Sequence, residues 1–247
     1  MHFSRKFVRP LALAVAILSA ALPAWATRVQ PMVYELTPSG STAEQDVRVE
    51  NNSDRPLPVE LRVERRFIAI DGSETRLPAE DDFLIFPPQG LVPPNGFQTF
   101  RVRYIGDATL RKTALYVVTI AQLPLVPADP ATGVQILVNL GTSVAVSPPT
   151  AKARVALTDV QPAAQAGMLN VTVANTGDKF ARLYDGTWTF KSGDRSVVME
   201  SDALRSAITQ PLLEAESTRV ISLPVPTSLA GELVTVEFDY VAPASTR

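Results

Sequence analysis

Side-chain alternation between Val134 and Val146 constrains this chain more than any other stretch. The residues read V-Q-I-L-V-N-L-G-T-S-V-A-V. Every second one (Val134, Ile136, Val138, Leu140, Thr142, Val144, Val146) is apolar, with a single threonine among them. Successive side chains of a β-strand point to opposite faces, so this is one apolar stripe backed by a small or polar face. Mean strands run to about five or six residues, and this alternation is sustained over thirteen. A strand of that length is either the backbone of a sandwich or a surface that another chain uses.

The same period governs most of the remaining chain. Val47 and Val49 alternate with Asp46, Arg48 and Glu50, and Val59, Leu61 and Val63 alternate with Glu60, Arg62 and Glu64. Both runs read as half-buried strands. The cluster N-N-S-D-R-P at residues 51–56 predicts a hairpin between them. Asp71-Gly72 predicts a tight turn after the next run. Phe83 to Phe86 reads as a short buried strand closed by Pro87-Pro88, because proline cannot continue a ladder. Phe100, Val102 and Tyr104 share one strand face, with Thr99, Arg101 and Arg103 on the other. Ala114 to Leu123 is apolar on both parities, which predicts cover on both faces. A single antiparallel sandwich covers only one, so this excess points to a partner. Asp81-Asp82 reads as a solvated turn.

Pro124 to Gly133, with three prolines, is a loop leading into the long stripe. Pro148-Pro149 is a stiff linker and the best domain boundary. Beyond it, strand patterns recur at Met168 to Ala174, Thr187 to Phe190, Val197 to Met199, Arg219 to Leu223 and Leu233 to Val241. Turns fall at residues 175–178 and 191–194, and Asp202 to Ala207 reads as a short helical turn. The reading is all-β: a first domain over residues 27–147 and a second sandwich over 148–247.

The first 26 residues read as a secretory signal. Arg5, Lys6 and Arg9 precede an apolar run from Leu11 to Leu22 and the small-x-small site Ala24-Trp25-Ala26. The run is shorter than the roughly twenty residues that span a bilayer, and no later segment replaces it. Export places the mature chain, beginning near Thr27, outside the cytoplasm. Removing the three basic leader residues moves the formal charge from −2 to −5, which disfavours nucleic acid as a partner. There is no cysteine, and His2, the single histidine, lies in the leader. The mature chain therefore lacks a His-dependent triad, a Cys–His pair and a His- or Cys-ligated metal. Carboxylate-only or Ser–Lys chemistry has no local pattern here. The expectation is no enzyme and no cofactor.

The ordered set F-L-I-F-P-P-Q-G-L-V-P-P (83–94), F-R-V-R-Y-I-G-D (100–107) and A-L-Y-V-V-T-I-A-Q-L-P (114–124) resembles the periplasmic chaperones of the chaperone–usher pathway of pilus assembly. The R-V-x-Y-x-G-D form is closer to the archaic branch than to the P-pilus type. The resemblance implies two Ig-like β-sandwich domains in a boomerang arrangement. It also implies a periplasmic location, a pilus subunit as first partner and an outer-membrane usher as second. By donor-strand complementation, a form of β-augmentation, Val134, Ile136, Val138 and Leu140 would enter the groove of an incomplete subunit. The family's basic pair for the subunit's terminal carboxylate falls on Glu35 and Ser143, and the acidic residue of its interdomain network falls on Thr113. Arg101 and Arg103 are the expected substitute anchor, through charge-assisted hydrogen bonds. The alternative is a secreted two-sandwich adhesion or carbohydrate-binding module. That reading needs an exposed aromatic platform, whereas Trp188 sits in a strand pattern that predicts core burial.

Overall fold

The computed structural model describes residues 27–124 and 137–242. The leader, most of the proline-rich loop, and the stripe positions Val134 and Ile136 lie outside the described residues. Ten strands form the first half: β1 (Arg28–Gln30), β2 (Val33–Leu36), β3 (Glu44–Asn51), β4 (Leu57–Ile68), β5 (Glu74–Pro78), β6 (Phe83–Phe86), β7 (Gln89–Val92), β8 (Gly96–Tyr104), β9 (Ala114–Gln122) and β10 (Asn139–Val146). One sheet has the order β1-β3-β8-β6, and the other β2-β10-β9-β4-β5 with β7 also on β4. Their inner faces make one core. Val47, Val49, Phe100, Val102 and Tyr104 come from the first sheet, and Val59, Leu61, Val63, Tyr116, Val118, Ile120, Val144 and Val146 from the second.

The expected hairpin between the runs at 47–50 and 59–63 does not form. β3 pairs with β1 and β8, whereas β4 pairs with β5, β7 and β9. The turn cluster carries the chain from one sheet to the other, so the two valine stripes face each other across the core instead of lying side by side. Phe83 to Phe86 is an edge strand rather than a buried one. Phe83 is buried, but Leu84 and Phe86 are exposed, Phe86 at 73%. Asp82 does more than sit in a solvated turn, since its Oδ2 accepts the Tyr116 hydroxyl at 2.8 Å.

The second half contains β11 (Val155–Pro162), β12 (Met168–Asn175), β13 (Ala181–Arg182), β14 (Gly186–Ser192), β15 (Arg195–Val198), α1 (Ser201–Ala207), β16 (Leu212–Leu213), β17 (Ser217–Pro224) and β18 (Thr235–Tyr240). The larger ladders are β11-β12-β17 and β15-β14-β18. Trp188 is 1% exposed, stacks on Phe238 with centroids 4.1 Å apart and donates Nε1–H to Leu183 O at 2.9 Å. It is core, as its strand pattern predicts. β11 escaped the periodicity because a bulge between Leu157 and Asp159 shifts its parity partway along.

The two halves share a third cluster: Ile68, Leu115 and Ala145 from the first, Leu212 and partly buried Phe180 from the second. Leu115 belongs to the outer face of β9, and Val117 on that face is buried too. The two-faced apolarity of this strand is thus satisfied within the chain, and it is not evidence of a partner. The joint also has neutral hydrogen bonds at the position where the resemblance implies an ionic network. The Thr113 hydroxyl lies 2.9 Å from Ser147 Oγ and accepts from Phe180 N at 3.2 Å.

The tip of the β4–β5 hairpin is pressed against β17. Val220 N donates to Ile70 O at 2.8 Å. Gly72, at φ +88°, leaves room for the buried Arg219 guanidinium, into which a Cβ there would run. Arg219 in turn donates Nη1–H to Leu212 O at 3.0 Å, so it is not free to retreat. Gly72→Ala is expected to lower stability by about 2 kcal/mol or more. Left-handed backbone costs a non-glycine residue about 1–2 kcal/mol and displacement of Arg219 adds to it. Thermal unfolding of the two proteins measures the difference.

Candidate partner-binding edge

β10 has two different edges. On one side it pairs antiparallel with β9 along its whole length, Asn139 to Val146. On the other it pairs parallel with β2, but only from Ser143 to Val146. The cause lies at the start of the chain. β1 pairs with β3 in the opposite sheet, and Pro31 interrupts the ladder because it has no N–H. The chain then crosses to place β2 beside β10 no earlier than Ser143. Ser143 N gives the first bond of this pairing, to Met32 O at 2.8 Å.

Asn139 to Thr142 therefore have one strand neighbour among the described residues. Backbone groups alternate between the two edges of a strand. Val138 O accepts from Gln122 N on the β9 side, and Ser143 N points to the β2 side. The N–H and C=O groups of Asn139 and Gly141 thus face the uncovered edge. An open groove of about 760 Å³, lined by residues 27–32 and Leu140, runs beside it.

The apolar stripe changes character along this strand. Val144 and Val146 are fully buried in the sandwich core, and Thr142 is buried with them, its hydroxyl donating to Val118 O at 3.2 Å. Leu140 packs against the core and is only partly buried. Val138 is 47% exposed, as is neighbouring Leu137 at 43%. Beneath the junction, burial pushes the Tyr34 phenol up to about 12, opposed by the Thr142 hydroxyl.

The charged side chains near the junction are paired. Glu35 Oε1 lies 2.8 Å from Lys179 Nζ of the second half. Arg66 Nη1 donates to Ser143 Oγ at 3.1 Å, and its Nε lies 3.2 Å from Glu74 Oε1. Burial moves the Arg66 guanidinium down from its ordinary value, with Glu74 opposing. Arg66 and Glu74 carry no sequence signal of their role, since Ser143 is 77 positions from Arg66 along the chain.

Arg101 and Arg103 are not brought to β10. Both are exposed on the outer face of β8, in the opposite sheet. Arg101 Nε donates to Asp46 Oδ1 at 3.0 Å, an interaction that holds its guanidinium above the ordinary value. Around them stand the exposed Leu84, Phe86 and Phe97, with Arg48 stacked 3.5 Å over the Phe97 ring.

The molecule is two joined β-sandwiches, the first carrying a strand, β10, that has a single strand neighbour from Asn139 to Thr142 among the described residues. Residues 29–152 match the family described as pili and flagellar-assembly chaperone, PapD N-terminal domain, and the chain belongs to that family. No curated protein sequence matches it. Among solved structures, the class 5 fimbriae chaperone CfaA superposes with a TM-score of 0.54 at 12% identity, over 88% of this chain and all of the other. A chain of the CsuC–CsuE chaperone–tip adhesion subunit complex, from the archaic Csu pili of Acinetobacter baumannii, gives 0.54 at 12% identity over 85% and 97%. A chain of the Salmonella enterica SafA pilin–SafB chaperone complex gives 0.50 at 17% over 90% and 99%. The protein is a pilus-assembly chaperone with the all-β, two-domain fold of that family.

Proposed function

We propose that the first domain, residues 27–147, holds an incomplete Ig-like pilus subunit in the periplasm by lending β10 to it, without catalysis. The second domain is then 148–247. The observation that carries this reading is the uncovered edge at Asn139 to Thr142. Exposed strand edges with apolar side chains are aggregation hazards that proteins ordinarily cover. Here the edge continues an apolar stripe outward from the core. Val138 and Leu140 are the described donor positions, with Val134 and Ile136 preceding them on the same parity. Each such side chain contributes roughly 1.5–3 kcal/mol when fully buried.

The anchor expected at Arg101 and Arg103 is not retained, because both stand on the far sheet from β10. Their surroundings support a different use. Leu84, Phe86 and Phe97, interleaved with arginines, form an apolar and basic face that a second partner, the usher, can take while β10 is occupied. Exposed aromatic and arginine side chains are the types enriched in interfaces. Among the described residues no helix is long and apolar enough to cross a membrane.

Co-expression with exported Ig-like subunits of the same cell tests the reading. One subunit is expected to co-purify at one to one and to aggregate when the chaperone is omitted. Absence of any stoichiometric partner would instead favour an adhesion module.

A further inference from the structure

On the reading that the open edge of β10 receives the partner, we propose that Arg66 is a positioning residue that ties the start of this edge to the second domain. Ser143 is the residue at which pairing with β2 stops. Its N–H is held by Met32 O at 2.8 Å and its Oγ by Arg66 Nη1 at 3.1 Å. Arg66 does not belong to a neighbouring strand: β9 lies between β4 and β10. Arg65 is in register with Tyr116 and Ser143 with Val117. The Arg66 side chain therefore crosses the outer face of β9 between Leu115 and Val117.

The other end of Arg66 meets Glu74 on β5, Nε to Oε1 at 3.2 Å. Glu74 Oε2 accepts from Gln210 Nε2 of the second domain at 2.8 Å. Ser143, Arg66, Glu74 and Gln210 thus form a continuous relay from the edge strand to the other domain. The side chains of Arg66 and Glu74 are only 11% and 19% exposed, so solvent and salt screen this pair much less than a surface one. The planar guanidinium bonds Ser143 Oγ on one side and stands within ion-pair distance of the Glu74 carboxylate on the other, a reach that the single ammonium of lysine lacks.

The consequence is register. A slip of one residue turns every side chain of a strand to the other face. With Ser143 pinned, Val138 and Leu140 stay on the parity that continues the core stripe, and the open segment keeps a fixed end. The second domain thereby sets how β10 is presented, although it contributes no strand to that sheet.

Amide hydrogen exchange of the full chain, followed by NMR, tests the relay without any partner. In Arg66→Met and Arg66→Lys, the Thr142 and Ser143 amides are expected to exchange about tenfold faster or more, the scale of a lost charge-assisted hydrogen bond. Gln210→Ala, which removes the hydrogen bond to Glu74, is expected to quicken the same amides, while those of β3 and β8 keep their wild-type rates. The Arg66→Met/Gln210→Ala double variant should be no faster than Arg66→Met alone, because the two act in series. Unchanged exchange at Ser143 in Arg66→Met, or an effect of Gln210→Ala confined to the second domain, would overturn the proposal. Should Arg66→Met fail to fold, Gln210→Ala decides alone. Either failure leaves the strand-lending reading standing, since that reading is decided by partner capture.

Discussion

Val138→Asp is expected to abolish capture of a pilus subunit while leaving the chaperone itself folded. Val138 is 47% exposed, so the substitution removes little burial from the free protein. Its backbone is held independently of the side chain: Val138 O accepts Gln122 N at 3.3 Å, and Val138 N donates to Gln122 Oε1 at 3.2 Å. Surface substitutions of this kind usually stay within about 0.5 kcal/mol. On the strand-lending reading the same position enters an apolar groove of the subunit, where an unpaired carboxylate costs several kcal/mol. A penalty of about 4 kcal/mol corresponds to roughly three orders of magnitude in affinity.

The same change further along the stripe separates lent from owned positions. Leu140→Asp should reduce both capture and stability, because Leu140 packs against the core from a partly open position. Val144→Asp should unfold the first domain outright, since Val144 is fully buried. Co-purified subunit and the unfolding midpoint, measured for all three, give the gradient directly. Normal capture by a folded Val138→Asp protein would defeat the strand-lending reading.

The gradient explains what periodicity could and could not reveal. Parity placed Leu140, Thr142, Val144 and Val146 on one face correctly, because side chains two apart share a face whatever covers that face. Periodicity alone does not divide the stripe near Ser143; only the family resemblance ended the donor positions at Leu140. The division depends on where β2 arrives, and β2 is four residues more than a hundred positions away in the chain. Ala114 to Leu123 shows the converse problem. Its two apolar faces were read correctly, but a hydrophobic pattern does not say whether the cover comes from the same chain, and here it comes from Leu212 and Phe180. Arg101 and Arg103 were placed on one outer face correctly. Only the topology puts that face on the opposite sheet from β10.

The turn at residues 51–56 was read as a turn and misread as a hairpin, and the reason gives the second large expectation. Asn51 is buried and acts as a hub. Its Nδ2 donates to Arg55 O at 2.7 Å, to Val92 O at 3.2 Å and to Pro93 O at 3.1 Å, while its Oδ1 accepts Ser53 N at 3.0 Å. The amide substitutes for a ladder that a chain crossing between sheets does not make. Asn175 repeats the device in the second domain. Its Nδ2 donates to Lys179 O at 2.7 Å and to Glu214 O at 2.9 Å, and its Oδ1 accepts Gly177 N at 3.1 Å. In both, the donor reaches the carbonyl four residues on and the acceptor takes the amide two residues on. Composition marks such clusters as turns, but only burial distinguishes a hub from a hairpin tip.

Asn51→Ala and Asn175→Ala are each expected to cost about 3 kcal/mol or more, because several buried backbone groups lose their partner at about 1–3 kcal/mol apiece. Asn51→Asp, although nearly isosteric, should be at least as damaging. It removes the donor and sets a carboxylate against the carbonyls of Arg55, Val92 and Pro93, so it must either repel them or take up a proton. At Asn175 the damage should also reach the joint. Its amide also holds the carbonyl of Glu214, whose Oε1 accepts Ile68 N from the first domain at 2.6 Å. Denaturant unfolding of the four single variants (Ala and Asp at each position) measures both effects. An Asp variant as stable as wild type at neutral pH would show that the donor side of the amide is not what holds these crossings.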